Sequence, residues 1–414
     1  MLNLYNTKTR KIEVFRPRHG GKVLYYTCGP SVYNFAHLGN LRTFFWEDEL
    51  KRVLIFNGYK VSHAMPISDI EDKSIAAFNS QKNRDFEGFI RPKIARFRRD
   101  MSEMNIIWPT HMVRFKSAIP AVKGWIGKIE KAGYSYADGK GNLLFNARKI
   151  KDYGSLVRLD AKKRRKTGTR LDDDYSKEGI YDFALWKAAD KNDGQIKWRS
   201  PWGAGRPGTH AYCSAIAYNW LGKKIDIHAG GVDNIFPHHE NEMAQSECAA
   251  GTGFVKYWFH VRHLTIGGKK MSKSLGNAHY LRDVASRGIG GQDLRYFYLK
   301  KHYRKNQNFD FQCIKAAKQG RMRLVGAIAG IKKAKPCQGS GREAEGRISK
   351  DWARMMAAVG NDLNVPRALE IFERLVADMP GYCMDKGAKR LFLERAREFG
   401  FLTGLELAAN KKGK

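Results

Sequence analysis

A chain of 414 residues, 43% hydrophobic and 12% aromatic, carries ample apolar material for a core and has room for roughly two to four domains. It contains no apolar run of the ~18 residues needed to cross a bilayer, and the opening MLNLYNTKTRKIEVF lacks the apolar segment of a signal peptide. Lys and Arg number 75 against 41 Asp and Glu, a net charge of +34. Solubility does not require that excess. A polyanionic partner such as nucleic acid is the natural reading, with a compositional bias of the source proteome as the alternative.

Residues 23 to 28, VLYYTC, read as a buried strand, and GPSVYNFAHLGN as the glycine-containing loop after it. RTFFWEDELKRVLIFNG then has helical spacing. Phe45, Glu49 and Arg52 share one stripe, Leu50, Val53 and Leu54 another, and Gly58 ends the helix. YKVSHAMPIS is a second strand, so residues 23–68 form a strand–loop–helix–strand unit. That unit predicts an α/β fold with a parallel sheet.

Residues 84–131 read as helical and rich in Arg and Lys. Residues 135–200 are weakly patterned, and the charge run AKKRRKTGTRLDDDYSKEG reads as an exposed loop or insertion. KKIDIHAGG (223–231) returns to the sheet, followed by a Gly-rich turn and a helix starting near Pro237. Residues 281–335 look helical and basic, and PCQGSGREAEG (336–346) reads as a linker. Asn364 and Pro366 then open a helix with Leu369, Phe372 and Val376 at helical spacing. The six cysteines (28, 213, 248, 313, 337, 383) are too scattered for a disulfide framework, so a reducing cytoplasm is expected.

Four stretches carry chemistry. In FPHHENEMAQSE, His238 and Glu242 stand four apart, on one face of a helix, where a metal would find two ligands. Taken alone, HxxxE is more often a helix start with a polar face. AHLGNLR (36–42) opens a helix from a loop, and His37 and Asn40 can add donors to the free amides that bind phosphate there. GGKKMSKSLGN (267–277) puts Lys269, Lys270 and Lys273 on a glycine-flanked loop suited to a leaving pyrophosphate. Cys28 and Cys213 join His238 and Glu242 as a set that suits Zn2+. On composition alone, two buried structural cysteines remain the commoner outcome.

CGPSVYNFAHLGNLRTF, ISDIEDKSI, YDFALWKAA, GRPGTHAYCSA, DIHAGGVDNIFPHHENEMAQSE, KKMSKSLGN and LKKHYRKNQNFDF occur in this order. Together they resemble the cysteinyl-tRNA synthetases, a family of class I aminoacyl-tRNA synthetases. The likeness spans roughly residues 20–315 and continues weakly through NDLNVPRAL to about 405. It implies a Rossmann-like catalytic domain in two parts (1–120 and 205–262), split by a connective insertion at 121–204. A KMSKS loop and stem-contact region (263–335), a helical bundle (347–405) and a basic tail (406–414) follow.

The resemblance also implies roles. Cys28, Cys213, His238 and Glu242 match zinc ligands, one ion per chain. His37 and Asn40 match the HIGH-type motif, Lys270 and Lys273 the KMSKS loop, and these four are the catalytic candidates. His37, Gly39, Asn40, Gly231, Asp233 and Lys273 are the candidates for ATP, which would arrive with Mg2+. Gly29, Ser68 and Thr209 are the candidates for the amino-acid pocket. The implied reaction activates L-cysteine with ATP to cysteinyl adenylate and passes it to the 3′ end of tRNA(Cys), in the cytoplasm, with a monomeric enzyme expected.

Three departures stand out. Thr209 takes the place of a tryptophan and Tyr212 that of a glutamate in the family's GRPGWHIEC pattern. The chain ends soon after the helical bundle, so the expectation is a short form without the C-terminal anticodon-recognition domain. Short relatives also join cysteine to a small-molecule amine, as in the mycothiol pathway. That reading and a noncatalytic tRNA-binding paralogue are the two alternatives.

Overall fold

The computed structural model describes residues 1–81, 85–164, 166–171, 180–251 and 253–407. A hairpin of β1 (Asn3–Asn6) and β2 (Lys11–Val14) opens the chain. The expected strand–loop–helix–strand unit follows as β3 (Lys22–Thr27), α1 (Leu38–Phe56) and β4 (Lys60–Ile67). Next come α2 (Asp72–Asn79), α3 (Phe86–Glu103), β5 (His111–Arg114) and α4 (Phe115–Lys131). A second sheet is built from β6 (Ser135–Ala137), β7 (Leu143–Phe145), β8 (Thr167–Arg170), β9 (Ile180–Ala188) and β10 (Gly205–Pro207), with one helical turn, α5 (Ala161–Arg164), between β7 and β8. The chain then returns through α6 (Thr209–Leu221), β11 (Ile225–Gly231), α7 (His238–Ala250) and β12 (Val255–Val261).

The central sheet has the order β12-β11-β3-β4-β5 and every pairing in it is parallel. Both faces are covered, and the two-residue side-chain period divides them. On β3, Val23 and Tyr25 enter the core shared with α1, while Leu24 and Tyr26 enter the core shared with α4 and α6. From β3 the chain steps one way to β4 and β5, then the other way to β11 and β12. A crevice therefore opens beyond the carboxyl ends of β3 and β11, where ligands of such sheets bind.

Past the sheet, β13 (Leu264–Ile266) and β14 (Lys269–Lys270) form a short hairpin with the lysine loop behind it. Then come α8 (Leu281–Ala285), α9 (Gly291–Leu299), β15 (Gln307–Asn308) and α10 (Phe311–Lys333). The last three helices are α11 (Arg342–Gly360), α12 (Val365–Asp378) and α13 (Lys386–Thr403). As the sequence predicts, the Asn364 side chain caps α12, accepting from the Arg367 amide at 3.3 Å. Among the described residues no helix is long and apolar enough to cross a membrane.

Several expectations need correction. The helical stretch over 84–131 is interrupted by β5, because Asn105 takes a left-handed φ of 52° and ends α3 there. The weakly patterned 135–200 region is a sheet in which β6, β7 and β8 have three or four residues, and β9, nine residues long, is buried on both faces and so shows no alternation. Part of its charge run is β8, paired with β9; residues 165 and 172–179 of the run lie outside the described residues. The expected domain boundary at 121 falls inside α4. The linker ends at Gly341, where α11 begins. Cys337 and Cys383 form a disulfide, because the loops after α10 and before α13 bring their Cα atoms to 5.7 Å. Of the basic tail, Glu406 and Leu407 alone are described.

One buried ion network joins the catalytic core to the helical bundle. Arg295 of α9, fully buried, pairs with Asp48 and, at 2.5 Å, with Glu49, both on α1. It also donates to the carbonyls of Thr403 (2.5 Å) and Met104 (2.8 Å). Arg52 reaches Asp48 at 2.7 Å. Gly404, left-handed at φ 62°, ends α13, and a Cβ there would meet the Arg295 guanidinium at 2.3 Å. Replacing Arg295 with Met should leave two buried carboxylates short of a partner and cost about 3–5 kcal/mol. Urea denaturation measures this; a loss within about 1 kcal/mol would show that the network carries little.

Candidate functional site

β3 and β11 run side by side, and the Cys28 amide donates to the Ala229 carbonyl at 3.1 Å. That bond carries Cys28 to the floor of the crevice. α7 starts nearby, and as the four-residue spacing predicts, His238 Nε2 and Glu242 Oε1 lie 2.8 Å apart on one face. Donor atoms of Cys28, His238 and Glu242 all fall within 4.8 Å of one another. Cys213, on α6, falls outside that mutual distance, but its buried thiol is hydrogen-bonded to His238 and Tyr26.

Burial and mutual attraction together set the charges of this cluster. Burial pushes the Cys28 thiol up to about 12, against the pull of His238, and burial raises Cys213 too. Burial also opposes ionisation of Glu242, yet His228 and His238 outweigh it and hold its carboxyl down to about 2. His238 is raised well above the usual imidazole range: burial lowers it, but Glu242 and Cys213 more than compensate. The cluster thus holds one ion pair and two neutral thiols, and thiols ionise when a divalent metal binds them.

More histidines line this floor than the sequence reading named. His228 Nε2 meets Glu242 Oε2 at 2.9 Å, and His239 Nε2 lies 3.0 Å from Cys28 Sγ. His239 Nδ1 meets His260 Nε2 at 2.8 Å, and His210 Nδ1 lies 2.7 Å from His238 Nδ1. Burial lowers His239 and His260 well below the normal range. The available signal was a single His in each of two apolar strands, His228 in β11 and His260 in β12.

The phosphate-type elements lie at the same edge of the sheet. His37 is the N-cap of α1; its Nδ1 accepts from the Asn40 amide at 3.2 Å while the Asn40 side chain accepts from the His37 amide at 3.2 Å. Burial, then the charges of Lys273 and Lys270, lower His37 to about 4, so its imidazole stays neutral as the cap requires. The lysine loop lies over this helix start: the Leu38 amide donates to the His279 carbonyl at 2.7 Å, and a Cβ on Gly39 would meet Met271 at 3.7 Å. Lys270 pairs with Asp233 at 2.7 Å, and a Cβ on Gly231 would strike Asp233 at 2.5 Å. Fully buried Arg42 locks α1 to this region, donating to Gln307 Oε1 at 3.0 Å and the Lys305 carbonyl at 3.0 Å.

Two of the three pocket candidates, Gly29 and Ser68, lie beside Cys28 in the loop after β3 and at the end of β4. Gly29 passes so close to β4 that a Cβ would lie 1.6 Å from the Pro66 carbonyl oxygen. Ser68 and the loop after β3 grip each other through Val32 N to Ser68 O (3.1 Å) and Ser68 N to Pro30 O (3.0 Å). Thr209 is the first residue of α6, one turn before Cys213. Tyr212, in place of the family's glutamate, is buried and stacked on Phe115, centroids 4.2 Å apart and planes at 3°.

The fold matches solved class I synthetases. Methionyl-tRNA synthetase of Mycobacterium tuberculosis in complex with methionyl-adenylate superposes with a TM-score of 0.66 at 15% identity, over 92% of this chain and 88% of that one. The Agrobacterium radiobacter K84 LeuRS–tRNA–LeuAMS complex gives 0.65 at 12% identity, over 95% and 85%. Fold and site together define an aminoacyl-tRNA synthetase of class I. Residues 14–319 match the family described as tRNA synthetases class I (C) catalytic domain. The chain is 42% identical over 375 residues to the cysteine–tRNA ligase of Chlamydia abortus, covering 89% of this chain and 77% of the relative. It is 37% identical over 385 residues to that of Protochlamydia amoebophila, covering 92% and 80%. The chain belongs to the cysteinyl-tRNA synthetase family.

Proposed function

We propose that the protein is a zinc-dependent cysteine–tRNA ligase acting on tRNA(Cys), with ATP and Mg2+. One observation carries the reading: a thiol–imidazole–carboxylate set and a phosphate-type helix start with its lysine loop share one edge of one sheet. The relatives named cysteine–tRNA ligase support the amino acid and the acceptor.

In the first step the cysteine carboxylate attacks the α-phosphorus of ATP and pyrophosphate leaves. At the start of α1 the Leu38 and Asn40 amides are already bonded, so the Gly39 amide, with the His37 and Asn40 side chains, binds phosphate oxygens. Gly231 and Asp233 hold the adenosine. Lys270 exchanges Asp233 for phosphate as ATP enters, and Lys273 joins it to offset charge on the departing pyrophosphate. In the second step a hydroxyl of the terminal tRNA ribose attacks the activated acyl carbon and AMP leaves. No covalent enzyme intermediate is required; the chain's residues position and stabilise.

Cysteine and serine differ by one atom, and an ordinary pocket separates such near-isosteres by about 1–3 kcal/mol. Cys28, Cys213, His238 and Glu242 would hold the zinc, whose softness favours a substrate sulfur over a hydroxyl. The convergence of Cys28, His238 and Glu242 donor atoms, with the Cys213 thiol bonded to His238, fits a divalent cation with sulfur, nitrogen and oxygen donors. Gly29, Ser68 and Thr209 would line the rest of the pocket. The net charge of +34 supplies backbone attraction for tRNA.

Purified zinc-loaded protein should catalyse cysteine-dependent ATP–pyrophosphate exchange at least about 100-fold better than serine-dependent exchange, and should charge tRNA(Cys). Exchange without charging would favour transfer to a small-molecule amine, and absent exchange a tRNA-binding paralogue. Cys213→Ser should bind well under one zinc per chain by elemental analysis of the purified protein. A full complement of metal would remove Cys213 from the ligand set.

Burial lowers Lys273 to about 8, from an ordinary value near 10.5. Its charged form therefore dominates below that pH and is lost above it. kcat/KM for ATP should fall above about pH 8, since that ratio reports the free enzyme. Lys273→Arg should carry the fall beyond about pH 10. An unchanged alkaline limb in that variant would assign the limb to another group.

A further inference from the structure

The loop from β3 into α1 carries two aromatic rings that the phosphate and metal roles leave unused. Val32 and Ala36 anchor this loop in the interior, while Tyr33 and Phe35 stay half-buried at its surface. Each ring meets a cation from the lysine-loop side. Lys273 Nζ lies 4.4 Å from the Tyr33 centroid, and Arg282 Cζ lies 5.0 Å from the Phe35 centroid. Both distances lie within the ~6 Å range of cation–π attraction.

We propose that Tyr33 and Phe35 form an aromatic clasp that holds the lysine loop over the start of α1, making Tyr33 a positioning residue for adenylate formation. The proposal rests on the ligase reading above. The base of the clasp is rigid, since the Tyr33 loop is pinned to Ser68 through Val32 and Pro30. The loop opposite is hinged. Gly267, Gly268 and Gly276 have positive φ and open space around them, and Leu275 is 58% exposed. Buried Met271 and Leu281 hold its two ends. Within it, Asn277 accepts from the Ser272 amide at 2.8 Å and donates to the Lys270 carbonyl at 3.1 Å, bonds that shape the loop without tethering it.

The two lysines are therefore held differently. Lys270 is in a direct ion pair with Asp233, and must give up a full charge partner to reach phosphate. Lys273 rests on a ring face, which orients the ammonium without neutralising it. Glu71 also attracts Lys273, but its carboxylate is engaged by the Ser31 hydroxyl. Arg282, beside Asp283 at 3.7 Å and Tyr280 at 5.1 Å, fixes the far end of the loop on Phe35. A lysine kept charged, aimed and lightly bound at the helix start is ready to follow a developing charge.

The test uses the full chain with Tyr33→Leu, Tyr33→Phe and Phe35→Leu, each checked for an unchanged melting temperature. Tyr33→Leu should lower kcat of cysteine-dependent exchange about five- to thirtyfold, with KM for cysteine unchanged. Tyr33→Phe, which keeps a ring face, should stay within about twofold of the native protein, with Phe35→Leu between the two. Without substrates, trypsin should cut after Lys273 several times faster in Tyr33→Leu and at the native rate in Tyr33→Phe. Native kcat and native cleavage in Tyr33→Leu would overturn the clasp, as would equal losses in the Leu and Phe variants. Faster cleavage in Tyr33→Leu, with no exchange by the native protein, would instead overturn the ligase reading while the contact stands.

Discussion

The parallel pairing of β3 with β11, closed by the Cys28 amide on the Ala229 carbonyl, governs where every chemical group of this protein ends up. These strands are far apart in sequence, and their following loops turn away from each other. One loop runs from Cys28 to the His37 cap; the other runs from Gly231 past Asp233 to His238. A thiol and a helix start on one loop can therefore share a crevice with a metal-type helix that begins only at His238. Close backbone approach makes this possible: at Gly29 a Cβ would overlap the Pro66 carbonyl oxygen, and the loop after β3 could not pass β4 where it does.

Within the crevice, charge is segregated by depth. The deep end holds the His238–Glu242 ion pair, kept ionised by mutual attraction against burial, beside thiols that burial raises and the His239 and His260 rings that burial lowers. The outer end holds lysines that remain partly in water. A substrate with a thiol at one end and a phosphorylated carboxylate at the other fits that gradient, because soft donors and a low dielectric belong at the first end and mobile cations at the second. The excess of basic residues over the whole molecule is a separate, longer-range device that attracts a polyanion and says nothing about which amino acid is read.

The parts legible in the sequence were those whose signal is local. A strand, a glycine loop and an amphipathic helix announced the β3–α1–β4 unit, HxxxE announced the His238–Glu242 face, and Asn364 with Pro366 announced α12. β5 was missed because four residues between two helices carry no period. The insertion's sheet was missed because β6 and β7 have three residues each and the longer β9 is buried on both faces, which removes the two-residue alternation. Glu49 and Arg52, legible only as one helical stripe with Phe45, are both buried, since Arg295, far along the chain, pairs with Glu49 and Asp48 pairs with Arg52. The same distance effect hid the Cys337–Cys383 pair and the histidine floor. A lone His in an apolar strand acquires meaning when the fold sets another beside it, as His239 of α7 meets His260 of β12 at 2.8 Å.

The two departures in GRPGTHAYC act on different faces of one helix. Positions four apart in a helix share a face, so Thr209 lies on the face of α6 that carries Cys213. Tyr212 points instead into the layer between α6 and α4, where its ring lies flat on Phe115. A carboxylate at 212 would bring a charge into that apolar layer, whereas the stacked ring pair brings none and adds about 0.5–1.5 kcal/mol beyond its buried area. The smaller residue at Thr209 thus coincides with a larger one at Tyr212, on another face of the helix. α6, and Cys213 with it, is held from the core side and does not depend on a large residue at the pocket to fix its position.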